Sequence, residues 1–212
     1  MPETFTVLGI VGSLKKTSFN WKLMRRAKAV ATEGITFDVF AYLGVLPYFS
    51  EDREGERTPR MIQDFRQRIE SCDAILVATP EYNGSMPGVL KNALDWASRP
   101  PGESVLDGKP AAVMGASPGR YGAARSQADV RKVLTAIGAE VLDRELSFPR
   151  VHEMFDDQDK LLDLETGPRL AGHLAALIEL AGGATPAEES ELAEYSRTCQ
   201  QLASDQRVAE AA

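Results

Sequence analysis

The chain has 212 residues, 43% of them hydrophobic and 26% charged, with a net charge of −7. That is enough for one full core in an ordinary globular domain. The acidic balance argues against a nucleic-acid surface, and no apolar run approaches the length that spans a bilayer. Cys72 and Cys199 lie far apart. They offer neither a disulfide framework nor metal-ligand spacing, so a reducing, cytoplasmic setting is expected.

The opening MPETFTVLGIVGS has no basic leader and only a short apolar run. It is expected to be a buried strand and not a signal peptide. Phe5–Val11 is strand one. Asn20–Glu33 is an amphipathic helix with Leu23, Met24, Ala27 and Val30 on one face, closed by Gly34 at its C′ position. Ile35–Ala41 is a strand, and Tyr42–Thr58 a charged loop. Pro59 opens a helix through Ser71, where a missing N–H costs nothing. Ala74–Thr79 is strand three, its ILVAT run suited to burial on both faces. Pro87–Ser98 is a helix and Pro110–Ala116 strand four. Ala123–Ile137 is a helix ended by Gly138, Glu140–Leu146 is strand five, and Pro168–Leu180 is the last helix of the repeat.

Strands alternating with helices predict an α/β domain over residues 1–182. Its core is a doubly wound, five-stranded parallel sheet of order 2-1-3-4-5 with helices on both faces. Residues 183–212 change composition. They are expected to form an appended arm, helical near Glu191–Val208 or partly disordered.

Three loops carry the polar chemistry. The first, Gly12–Asn20 (GSLKKTSFN), lies between strand one and its helix. Ser13, Thr17, Ser18 and Asn20 can donate hydrogen bonds, and Lys15 or Lys16 can neutralise charge at a helix N-terminus that attracts phosphate. The spacing matches neither a Walker loop nor a G-x-G-x-x-G fingerprint. A plain N-cap at Ser18 or Asn20, with solvated lysines, is the simpler alternative.

The second loop, TPEYNGSMPG, leaves strand three. Pro80 stiffens the exit, Gly84 permits a turn, and Tyr82 offers a flat apolar surface with a polar tip. The backbone groups of Glu81, Tyr82 and Asn83 are expected to be free of any strand ladder. An isoalloxazine ring needs this combination of an apolar face and edge donors and acceptors. A plain strand–turn–helix connection with Tyr82 packed is the alternative.

The third loop, Gly115–Gln127, follows strand four. Gly115, Gly119 and Gly122 allow close approach to a ligand, and Ser117 reaches the same crevice. Arg120 and Arg125 can meet a nicotinamide dinucleotide phosphate or a neighbouring subunit. For Arg125, a salt bridge with Glu145 or across an interface competes with cofactor contact.

Together these loops resemble the NADPH-dependent FMN reductase family, which includes quinone, chromate and azo-dye reductases of flavodoxin-like fold. The matching residues are Gly12, Ser13, Ser18, Phe19 and Asn20; then Pro80, Glu81, Tyr82, Asn83, Pro87, Gly88, Leu90, Lys91, Asn92, Asp95 and Trp96; then Gly115, Ser117, Gly119, Gly122 and Arg125. The similarity runs from Phe5 to about Leu180.

The resemblance implies that Ser13, Lys15, Ser18, Phe19 and Asn20 hold the FMN phosphate. Pro80, Glu81, Tyr82, Asn83 and Gly84 would hold the ribityl chain and ring, with Ser117 at the ring's other edge. Lys15 stands where relatives usually carry Arg, keeping the charge without the bidentate fork. The resemblance also implies a homodimer or homotetramer through the Pro87–Ser98 helix, with Asp95 and Trp96 alternatively packing within one subunit. The expected activity passes hydride from NADPH or NADH to FMN and then to a quinone or other small acceptor, by ping-pong at one shared site. No side chain is then required as acid or base.

A flavodoxin-like electron carrier and a flavin-dependent sensor are the rival readings. His152 and His173 are isolated and read as solvated or packed. The acidic run Glu153, Asp156, Asp157, Asp159 reads as a solvated loop, since it lacks EF-hand spacing.

Overall fold

The computed structural model describes residues 4–182, apart from positions 157, 159 and 160. Six parallel strands form one sheet: β1 (Phe5–Val11), β2 (Ile35–Phe40), β3 (Ala74–Thr79), β4 (Pro110–Ala116), β5 (Glu140–Val141) and β6 (Leu146–Phe148). Their order is β2-β1-β3-β4-β5, with β6 also beside β4. The helices are α1 (Phe19–Ala29), α2 (Arg60–Ser71), α3 (Gly88–Ala97), α4 (Ala124–Ala136) and α5 (Thr166–Leu180). This is the expected doubly wound order.

Alternation along each strand splits the core into two. Leu8, Ile10, Ile75, Val77, Ala111 and Val113 face α2, α3 and α4, whose Ile62, Phe65, Leu90, Trp96, Val130 and Leu134 are buried against them. Val7, Val11, Leu76, Ala78, Ala112 and Met114 face α1 and α5, meeting Leu23, Met24, Leu170, Leu174 and Leu177. Strands covered on both sides must be apolar at every position, and all six residues of β3 are buried.

Several boundaries differ from expectation. Helix α1 stops at Ala29 instead of Glu33, with Val30 as its C-cap. Gly34, at φ +88°, is not the helix C′ residue. It shapes the turn into β2, where its carbonyl accepts from Phe5 N–H at 3.0 Å. Pro59 and Pro87 are N-caps of α2 and α3 and not their first helical residues. The loop between β2 and α2 holds three short 3-10 turns at Leu43–Val45, Glu51–Arg53 and Gly55–Arg57. Helix α5 begins at Thr166, ahead of Pro168. The proline sits in the first turn, where its absent N–H has no intrahelical partner to lose.

The largest departure is at strand five. The run Glu140–Leu146 is not continuous: Ala111 pairs Val141 and Met114 pairs Leu146. Three steps along β4 therefore face five along the edge. Asp143, Arg144 and Glu145 are all exposed, and charged side chains this close together cannot lie under two helix layers. The chain loops out instead, with Arg144 N–H donating to Leu142 C=O at 2.8 Å. The expected arm over residues 183–212 lies outside the described residues.

Candidate functional site

The registers Val11–Ala78 and Thr79–Gly115 bring the carboxyl ends of β1, β3 and β4 to one edge of the sheet. That edge is where open α/β sheets hold ligands. The loops are pressed together there. Gly12 N–H donates to Ala78 C=O at 2.8 Å. A Cβ on Gly12 would stand 3.2 Å from Leu90 Cδ2 and 3.3 Å from Pro80 Cδ. Glycine lets the first loop lie flat against buried Pro80 of the second.

In the first loop, Ser18 is the N-cap of α1. Its Oγ accepts from Trp21 N–H at 3.3 Å, and its own N–H donates to Lys15 C=O at 2.9 Å. The cap uses the hydroxyl as acceptor and leaves its proton free to donate, so capping and anion binding do not compete. Ser13 is buried, with its carbonyl accepting from Trp21 Nε1 at 3.0 Å. The first turn of α1 holds no acid, and the amides of Phe19 and Asn20 precede the first intrahelical acceptor. Lys15 and Lys16 are exposed above them. These donors, the dipole and the cations suit a phosphate group.

Two expected phosphate ligands have other work. Asn20 is buried, and its side chain bridges to the exit of β4. Nδ2 donates to Ala116 C=O at 3.1 Å, and Oδ1 accepts from Ala116 N–H at 3.1 Å. It straps α1 to the third loop. The Phe19 ring packs 5.9 Å from Phe155, with Lys22 Nζ 4.9 Å from both ring centres. Phe19 therefore offers the loop its amide and not its ring.

The second loop makes a tight reversal. Tyr82 N–H donates to Ser85 C=O at 3.0 Å, and Ser85 N–H returns to Tyr82 C=O at 3.1 Å. Asn83 and Gly84 between them have φ of 53° and 79°, as a type I′ turn requires. The Tyr82 backbone stays out of the strand ladders, as expected, but both of its groups are closed on Ser85 within the turn. The Tyr82 side chain is 55% exposed, so it is an open platform and not a packed core residue.

This loop is latched onto α4. Glu81 Oε2 accepts from Arg125 N–H at 3.1 Å. Ala123, the N-cap at φ +65°, has no side chain to cap the helix, and the Glu81 carboxylate takes that role at the positive end of the dipole. Ser85 Oγ donates to Asp129 Oδ2 at 2.6 Å. Beneath, Thr79 Oγ1 and Ser126 Oγ are 2.7 Å apart and fully buried.

In the third loop, Ser117 N–H donates to Phe148 C=O at 3.2 Å, and Ser117 Oγ accepts from Gly119 N–H at 3.1 Å. Its hydroxyl proton stays available at the rim. Gln127 Nε2 donates to Ser147 Oγ at 2.8 Å, and its Oε1 accepts from Leu146 N–H at 3.3 Å. Of the alternatives for Arg125, the pair with Glu145 does not form; Glu145 Oε1 accepts from Ser147 Oγ at 2.5 Å.

Trp21, Thr79, Ser126, Gln127 and Asp129 support the rim and were not singled out from sequence. Ser126 and Gln127 carried a signal, since they share the stripe of α4 with Val130 and Leu134. A cavity of about 470 Å³ lies on the β2 side of the first loop, lined by Ser13, Lys16, Trp21, Arg25 and Tyr42 among others. None of the second-loop residues line it.

Away from the rim, His152 is exposed, 3.8 Å from Glu153. His173 is buried, and burial holds its pKa down to about 4, helped by Arg144 and Arg131. Cys72 is a buried free thiol, pushed up to about 11 by the same loss of solvent. Cys199 lies outside the described residues. Trp96 is buried and donates to Pro47 C=O at 2.8 Å, and Asn92 Nδ2 reaches the same carbonyl at 3.0 Å. These two residues of α3 thus serve packing within the subunit. No helix among the described residues is long and apolar enough to cross a membrane.

Comparison with known proteins agrees with this geometry. Residues 5–153 match the family model described as NADPH-dependent FMN reductase. An NAD(P)H-dependent FMN reductase of Pseudomonas aeruginosa is 40% identical over 178 residues, 84% of this chain and 95% of that protein. A 2-hydroxy-1,4-benzoquinone reductase of a Burkholderia species is 48% identical over 124 residues, 58% of this chain and 67% of its own length. Among solved structures, the Paracoccus denitrificans flavoenzyme NAD(P)H:(acceptor) oxidoreductase has a TM-score of 0.76 at 37% identity. That match covers 84% of this chain and 97% of that one.

Proposed function

The chain belongs to the NADPH-dependent FMN reductase family, and on that premise we propose that it is an FMN-dependent NAD(P)H oxidoreductase reducing quinone-like acceptors. The observation that carries this reading is the convergence of three polar loops on the edge formed by β1, β3 and β4. Bound FMN supplies the two-electron chemistry.

The chain's own residues bind and orient. Ser18, Lys15 and the first amides of α1 hold the phosphate. Pro80, pressed against Gly12, and the Tyr82–Ser85 reversal form the wall for the ring, with Tyr82 and Ser117 at its border. Asn20 positions the first loop against the third through Ala116. The names of the relatives support a quinone as acceptor; chromate, azo compounds and free flavin are the further acceptors of this reading. A homodimer or homotetramer through the exposed Lys91 and Asp95 side of α3 and a cytoplasmic setting complete it.

The test is the purified protein with its spectrum. A flavin absorbance released on denaturation, with NAD(P)H oxidation that depends on added benzoquinone, is the expected result. A colourless chain that FMN cannot reconstitute would overturn the proposal. Bound FMN without turnover would leave only a carrier.

A further inference from the structure

We propose that the cleft between the first loop and the turn after β2 is a second ligand site, and that it takes a small aromatic carboxylate. This site lies apart from the crevice that walls the ring, and it goes beyond the proposed function.

Three observations carry it. The first is a separate space. The cleft of about 470 Å³ falls in the range of volumes that hold small organic ligands. Its lining comes from the end of β1, the first loop, α1 and residues 41–45, and no residue of the second or third loop belongs to it.

The second is a fixed apolar wall. Trp21 Nε1 donates to Ser13 C=O at 3.0 Å, which holds the indole against the first loop. The Tyr42 ring meets Phe40 edge to face, with ring centres 5.8 Å apart. A Cβ on Gly44 would stand 3.0 Å from Leu14 Cδ2, so glycine there lets the turn after β2 come up against the first loop. Buried Val11 and Leu43 add to the lining, while Leu14, Tyr42 and Val45 stay largely exposed. Two held rings among aliphatic side chains suit a flat, apolar ligand.

The third is charge. Lys16 and Arg25 line the cleft and no acid does. Among the described residues neither cation makes an ion pair. In a chain of net charge −7, two unpaired cations beside an aromatic wall leave a local demand for an anion. A guanidinium fork matches the two oxygens of a carboxylate.

The chemistry selects among ligands. Inorganic phosphate would answer the cations and leave the apolar wall in water. A neutral aromatic would cover the wall and leave the cations unanswered. A benzoate-like acid does both, with its charge paired where it leaves solvent.

The experiment titrates benzoate into the purified protein with FMN added, followed by calorimetry and by the NMR signals of the indole N–H groups. The chain has two tryptophans. Trp21 lines the cleft, whereas Trp96 is buried on α3 and bonded to Pro47. Benzoate is expected to move the Trp21 signal and leave that of Trp96 in place. Benzyl alcohol and inorganic phosphate should each act at Trp21 at least about tenfold more weakly. Arg25→Gln, at an exposed position of α1, should weaken benzoate by about tenfold with FMN content unchanged. Val45→Trp, which fills the cleft from an exposed position, should block benzoate altogether. An unmoved Trp21 signal, equal affinity for benzyl alcohol, or benzoate affinity that survives Arg25→Gln would overturn the proposal. So would displacement of benzoate by benzoquinone, which would put both in the ring crevice. None of these readouts needs turnover. A protein that binds benzoate at Trp21 but oxidises no NAD(P)H would sink the proposed function and leave this site standing.

Discussion

The two flanks of β4 treat buried polarity in opposite ways. On the side of β1 and β3, the polar groups under the loops are matched: Asn20 with Ala116, Thr79 with Ser126, Glu81 with the Arg125 amide. On the side of β5 and β6, where the edge strand is broken, both His173 ring nitrogens and Arg131 Nη1 are buried with no hydrogen-bond partner. A buried polar group costs folding free energy unless it is satisfied. The difference teaches that the rim is pinned in place for a ligand, whereas the far flank, tied to α4 through Gln127, also buries polar atoms that nothing satisfies, His173 among them.

Asn20→Asp tests the matched side most severely. A carboxylate oxygen would face the Ala116 carbonyl in a buried place, an uncompensated charge costing about 3–5 kcal/mol. Urea unfolding should show the loss and absorbance should show flavin release; unchanged values in both would mean that the strap holds nothing.

His173 tests the unmatched side. Its pKa is about 4 in the folded chain against 6.5 when free. Above pH 6.5 both states are neutral there and its contribution is whole. As pH falls from 6.5 towards 4, the unfolded chain gains a proton that the folded chain refuses. Stability should drop by at most about 3 kcal/mol over that window. Thermal melts of wild type and His173→Leu across the window should diverge, the variant losing less with acid. Parallel curves would remove the contrast between the flanks.

A smaller change sharpens the comparison. Glu81→Ala should cost about 1 kcal/mol by uncapping α4, read as a lower melting temperature and faster amide exchange in its first turn. Smallest of all, Lys15→Arg should tighten FMN by less than about 1 kcal/mol through a forked contact. Flavin titration would check it, and weaker binding would show that Lys15 faces away from the phosphate.

What sequence could reveal follows the same division. Strands β1, β3 and β4 fall where their apolar runs place them, because burial on both faces leaves no room for ambiguity. The three loops were equally plain, since Gly, Pro and hydroxyl residues cluster only where the chain turns. The end of α1 was less legible: Thr32 and Gly34 belong to the turn into β2, and periodicity alone carries past Val30. The break in strand five lay hidden in DRE, three charges that local propensity tolerates and a two-sided sheet does not. The duties of Asn20 and Glu81 could not be read at all. Each partner sits on a distant part of the chain, Ala116 and Arg125, and only the packed fold introduces them.

The attachment of the second loop to α4 has a mechanical outcome. With Glu81 and Ser85 both anchored on that helix, the wall of the crevice has no hinge of its own and travels with the scaffold. Broadening the range of bulky molecules admitted would require shifting a whole helix and the buried Thr79–Ser126 contact under it. Variation in substrate range should therefore collect in exposed side chains such as Tyr82 and Tyr121, which can change size without disturbing the frame.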